Sequence, residues 1–103
     1  MTHASLFTAA LLAASTGLAH ATGAPEERAA AYLSATCANC HGTAGRTVGS
    51  LPPLAGMPRD GLERAMAEFR SGQRPATVMH QIAKGFSEPQ IEQIAAYFAA
   101  QSK

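Results

Sequence analysis

The sequence predicts a small all-α domain of about four short helices. Three observations lead to this. Apolar residues recur at helical spacing in the segments 29–36, 62–69 and 91–98. Glycine and proline punctuate the chain between those segments. No stretch alternates apolar and polar residues as a half-buried strand would. At 103 residues the chain has room for one domain at most.

The opening reads as an export signal. Residues 6–18 form an apolar run rich in Ala and Leu, and Ala19-His20-Ala21 fits a small-x-small cleavage site. The leading Met1-Thr2-His3 carries no Lys or Arg, a weak start for such a signal. The run is shorter than the ~18–20 apolar residues that a bilayer span needs. Cleavage after Ala21 is expected, leaving residues 22–103 outside the cytoplasm, in the periplasm. All eight Lys/Arg and all seven Asp/Glu lie in that part, for a formal charge of +1. Such a balance lacks the dense basic stripe of a nucleic-acid binder. A chain this small sits near the lower limit for a self-sufficient core, so a buried apolar cofactor would supply what is missing.

The first helix is expected from near Pro25, where proline suits the first turn and Glu26 and Glu27 complement the positive end of the dipole. Ala29, Leu33 and Thr36 give it an apolar stripe, with Tyr32 alongside as a core or helix-contact residue. It runs into Cys37. Residues 42–57 read as loop, broken by Gly42, Gly45, Gly49, Pro52, Pro53 and Gly56. A second helix spans 60–71, with Leu62, Ala65, Met66 and Phe69 on one face and Gly72 as its stop. A helical turn or two follows over 77–82. The last helix has Ser87 as N-cap, Gln90 in capping-box position and Pro89 in its first turn. Ile91, Ile94, Ala95 and Phe98 line its buried face, and it runs to about residue 100.

The chemistry concentrates in Cys37-Ala38-Asn39-Cys40-His41, a C-x-x-C-H sequence. Two thiols at this spacing can each add across one vinyl group of a single porphyrin, and the next residue carries an imidazole onto the iron. The motif therefore calls for one covalently attached haem c. A zinc site needs four ligands, and the chain offers only two cysteines in total, with His80 as the one other histidine beyond His41 expected in the mature part. A thioredoxin-like dithiol would follow a strand, and none is predicted. A disulfide between the pair would close too small a loop to restrain the unfolded chain much.

An iron-ligating histidine needs its second ring nitrogen held by an acceptor. The rigid segment Pro52-Pro53-Leu54 is suited to this, with the Pro52 carbonyl as acceptor and Leu54 packing on the haem. A thioether opposite the histidine would raise the potential. Met57 lies close to the histidine side, and Met66 falls on a helix face where methionine is more often core. Met79 is well separated from His41 and is assigned as the second axial ligand. His80 is the rival, expected otherwise as a surface residue near the haem edge. Arg46, Arg70, Arg74 and Lys84 are candidates to surround that edge and steer an acidic partner, or are scattered solubilising charge.

In this order, the C-x-x-C-H motif, Pro52-x-Leu54-Ala55-Gly56, Met79 and the closing Ala95-Ala96-Tyr97-Phe98-Ala99 resemble class I c-type cytochromes. That resemblance implies a class I cytochrome c fold wrapped round one haem, with first and last helices crossing. It also implies Cys37 and Cys40 as thioether donors, and His41 and Met79 as ligands. The run from Phe69-Arg70-Ser71-Gly72 through residues 76–87 is similar to the cytochrome subunit of flavocytochrome c sulfide dehydrogenase. The narrower resemblance implies electron acceptance from a FAD flavoprotein partner that oxidises sulfide; well-known members carry two haem domains, and this chain has one motif. The alternatives are a freely diffusing shuttle and, in another class, an open-site haem enzyme or gas sensor.

Overall fold

The computed structural model describes residues 24–103, so the expected export signal lies outside the described residues. Helix α1 spans Pro25–Ser34 and passes through a 3-10 turn, Ala35–Cys37, into the short α2, Ala38–His41. Helix α3 spans Arg59–Ser71, α4 Met79–Lys84 and α5 Glu88–Ala99. Among the described residues there is no strand. Helices α1 and α5 pack against each other, and α3 packs against both α4 and α5. The first and last helices thus meet, as the sequence resemblance implies.

Local sequence explains the ends. Pro25 opens α1 with Glu26 and Glu27 in its first turn. Gly72 stops α3 in the left-handed region, at φ 82°. At α5 both halves of the capping box form: Gln90 N donates to the Ser87 hydroxyl, and Ser87 N donates to Gln90 Oε1.

The core is formed by Leu62, Met66, Ala83, Ile91, Ile94, Ala95 and Phe98. Met66 is plain core, and α5 buries the four residues its pattern singles out. Helix α1 differs from expectation by one residue. Its buried face runs through Ala30, Leu33, Ser34 and Cys37, while Ala29 and Thr36 are exposed and Tyr32 is 82 % exposed. The reason is geometric. At about 100° per residue, a face that carries Cys37 inward centres near Ala30 and Cys37, and Tyr32 then lies about 150° away. The need to present the cysteine, and not the bulk of the tyrosine, sets the rotation.

Candidate haem site

The site is built on the helical run that ends at His41. Cys37 is half-buried against the core and Cys40 is exposed; both are free thiols. Burial pushes the Cys37 thiol above its ordinary range, with the Thr36 hydroxyl opposing it in part. Gly42, at φ 80°, turns the chain away immediately after His41. An added Cβ there would fall 2.3 Å from the Arg46 carbonyl oxygen, so only glycine fits.

The following loop folds back onto the histidine. The buried Gly45 carbonyl accepts from Leu54 N at 2.9 Å and Ala55 N at 3.2 Å, and Gly56 N donates to the Phe98 carbonyl of α5 at 2.9 Å. Within this frame His41 Nδ1 stands 2.7 Å from the Pro52 carbonyl oxygen. A carbonyl can only accept, so Nδ1 carries the proton and donates. In the neutral imidazole, Nε2 then keeps its lone pair for a metal. Leu54, Met57 and Met79 are half-buried and border the same core as Cys37. Met79 is the first residue of α4, held to α3 by the packing of the buried Ala83.

The remaining polar candidates separate. Arg46 donates to the Ser102 carbonyl at 3.0 Å, near the C-terminus. Arg70 donates to the Phe86 carbonyl, and Arg74 pairs with Glu68 at 2.6 Å and lies over the Phe69 ring. His80 is not simply a surface residue: it is half-buried, and its Nδ1 is buried without a hydrogen-bond partner. The residue lines a concavity with Arg70, Arg74 and Lys84. The packing of α4 on α3 turns it inward.

These residues fit a covalently held haem. Two free thiols flank one helical turn, an imidazole with a committed Nδ1 follows them, and half-buried apolar side chains border the same core. Among the described residues, no three His, Cys, Asp or Glu side chains converge to hold a bare metal ion. Sequence reasoning missed Gly45, whose carbonyl fastens the loop; a lone loop glycine gives no signal of what its carbonyl accepts.

Residues 23–98 match the family model described as cytochrome c oxidase, cbb3-type, subunit III. The chain is similar to the cytochrome subunit of sulfide dehydrogenase of Chlorobaculum tepidum, 41% identical over 69% of this chain and 64% of that protein. It is 35% identical to cytochrome c-552 of Acidithiobacillus ferridurans, over 84% of this chain and 40% of that protein. It is 39% identical to cytochrome c-554(548) of Halomonas halodenitrificans, over 64% of this chain and 84% of that protein. The chain thus spans less than two thirds of the first two relatives.

Proposed function

The chain belongs to the c-type cytochromes, in the family of that model, and its cofactor is haem c; from that premise we propose that it is a periplasmic single-haem electron carrier. Its donor in this reading is a sulfide-oxidising FAD flavoprotein, to which it serves as the haem subunit. Bound at this site, haem c supplies a one-electron ferric–ferrous couple. In this reading Cys37 and Cys40 would hold the haem through two thioethers, and His41 Nε2 and the Met79 sulfur would ligate its iron. The Pro52 carbonyl orients the imidazole, and Leu54 would pack against the haem and keep water away. The observation that carries the reading is the His41 Nδ1–Pro52 hydrogen bond of 2.7 Å, because it aims a histidine next to two free thiols.

A subunit role in sulfide oxidation is supported by the name of the Chlorobaculum relative, cytochrome subunit of sulfide dehydrogenase; a flavoprotein as its partner is part of the proposal. Among the described residues no helix is long and apolar enough to cross a membrane. The chain covers 84% of the Halomonas cytochrome, and on that likeness a second reading is a freely diffusing shuttle. The test is on native material: purify by haem absorbance, assay for tightly associated flavin, and add sulfide anaerobically. Flavin present and haem reduced by sulfide supports the subunit reading. A His/Met haem spectrum without flavin leaves the shuttle and sinks the subunit.

A further inference from the structure

Away from the C-x-x-C-H turn, cationic side chains crowd the junction of α3 and α4. Arg70, Arg74 and Lys84, with Ser71 and His80, line an open cavity of about 320 Å³. The carboxylate of Glu68 takes Arg74, through Nε at 2.8 Å and Nη2 at 2.6 Å. Arg70 gives one N–H to the Phe86 carbonyl. A guanidinium has five N–H donors, so both arginines keep donors beyond these bonds. Three positive charges around one concavity repel one another. Glu68 pairs with Arg74, and Glu63, Glu88 and Glu92 share a second cavity with Arg70, but among the described residues no carboxylate lines this one. His80 lines the same cavity, but its Nδ1 is buried out of reach of solvent and has no partner, so that nitrogen is not one of the donors facing the cavity.

We propose that this cavity binds a small tetrahedral oxyanion of the sulfate or phosphate class, held by Arg70, Arg74 and Lys84. The lining favours a free ion over an acidic side chain from a partner. Donors come from two helices and the turn between them, and a tetrahedral ion offers acceptors in all those directions. A carboxylate presents its two oxygens on one side only. The proposal does not rest on which side chain ligates the iron.

The test uses the reduced haem-loaded protein and inorganic sulfate, titrated against chloride at matched ionic strength, with NMR of the backbone amides of 70–85 and the arginine Nε–H groups. Sulfate should give saturable shifts centred on Arg70, Arg74 and Lys84 that chloride does not. R74Q should weaken binding about tenfold, as loss of a charge-assisted hydrogen bond implies. K84Q should weaken it about threefold, since Lys84 is exposed and screened. Lys84 touches none of the core, so K84Q reports on the site even if R74Q, which also frees Glu68, fails to fold. Sulfate shifts no larger than those of chloride would overturn the proposal. So would binding that K84Q and R74Q leave unchanged, or an acidic protein partner that shifts these groups when sulfate does not.

Discussion

Replacing Gly45 by alanine tests whether the loop that orients His41 is fixed by close backbone packing. Gly45 is buried at φ 75°, and its carbonyl accepts from both Leu54 N and Ala55 N. The left-handed conformation costs a non-glycine residue roughly 1 kcal/mol. That term alone is tolerable, because Ala44 adopts φ 53° next door. The steric term is larger. A Cβ on residue 45 would sit 2.8 Å from Ala55 N, 2.8 Å from Phe98 Cδ1 and 2.9 Å from Leu54 Cβ. One of these neighbours is backbone and another is the ring of a 1 %-exposed core phenylalanine, so neither yields easily. Overpacking of this kind costs about 1–3 kcal/mol, for a total of about 2–4 kcal/mol. Gly72→Ala is the control: its φ is 82°, but nothing lies within 4 Å of the added carbon. It should lose only about 1 kcal/mol. Urea unfolding of the haem-loaded proteins reads both. With a slope of about 1–3 kcal/mol per molar for a small domain, the Gly45 midpoint should fall by about 1 M or more. Equal losses in the two variants would refute the reasoning, because only the crowding differs between them.

Ser87→Ala removes the hydroxyl that accepts from Gln90 N; it should cost about 1 kcal/mol in the same unfolding assay and leave the visible spectrum unchanged. Met66→Ala, in the buried core, should lose about 2–5 kcal/mol without opening the iron to carbon monoxide. Met79→Ala should do the reverse. Its reduced form should bind carbon monoxide rapidly where the unmodified protein does not, and rapid binding by the unmodified protein would remove Met79 from the ligand set.

Helix α5 was legible almost residue by residue, because its burial pattern and its cap are both local signals. Ser87, Gln90, Ile91, Ile94, Ala95 and Phe98 each stand in the structure where the spacing puts them. Helix α1 was legible as a helix but not in its rotation. It is alanine-rich, so hydrophobicity distinguishes its faces poorly, and Tyr32 draws attention to the wrong one. The demand that Cys37 face the core resolves the choice, and that demand is tertiary. The C-x-x-C-H motif needed no structure to be read, since its spacing follows from the chemistry of one porphyrin. The burial of His80 was invisible, because it depends on α4 lying against α3. Likewise, nothing local to Arg46 and Arg70 tells that one is tied to the Ser102 carbonyl and the other to that of Phe86.

The two flanks of the site are held by different means, and this asymmetry has a consequence for dynamics. On the histidine flank, the loop is fastened to itself at Gly45, to His41 at Pro52 and to α5 through Gly56 and Phe98. Opening it requires breaking bonds that involve a core helix, so its opening free energy should approach that of global unfolding. On the methionine flank, every residue from Ser71 to Val78 is exposed. That stretch is held at its start by Arg74 N to the Glu68 carbonyl and by the Arg74–Glu68 pair. It is held at its far end by the buried Ala83. Half-exposed ion pairs contribute about 0–1 kcal/mol, so this segment should open locally at far lower cost. Hydrogen exchange on the haem-loaded protein decides it. The amides of Leu54, Ala55 and Gly56 should exchange orders of magnitude more slowly than those of Ala76, Thr77 and Val78. Equal protection would mean that the exposed segment is clamped by something other than the bonds to α3. Slow exchange at 76–78 with fast exchange at 54–56 would invert the argument, leaving the imidazole on the looser flank.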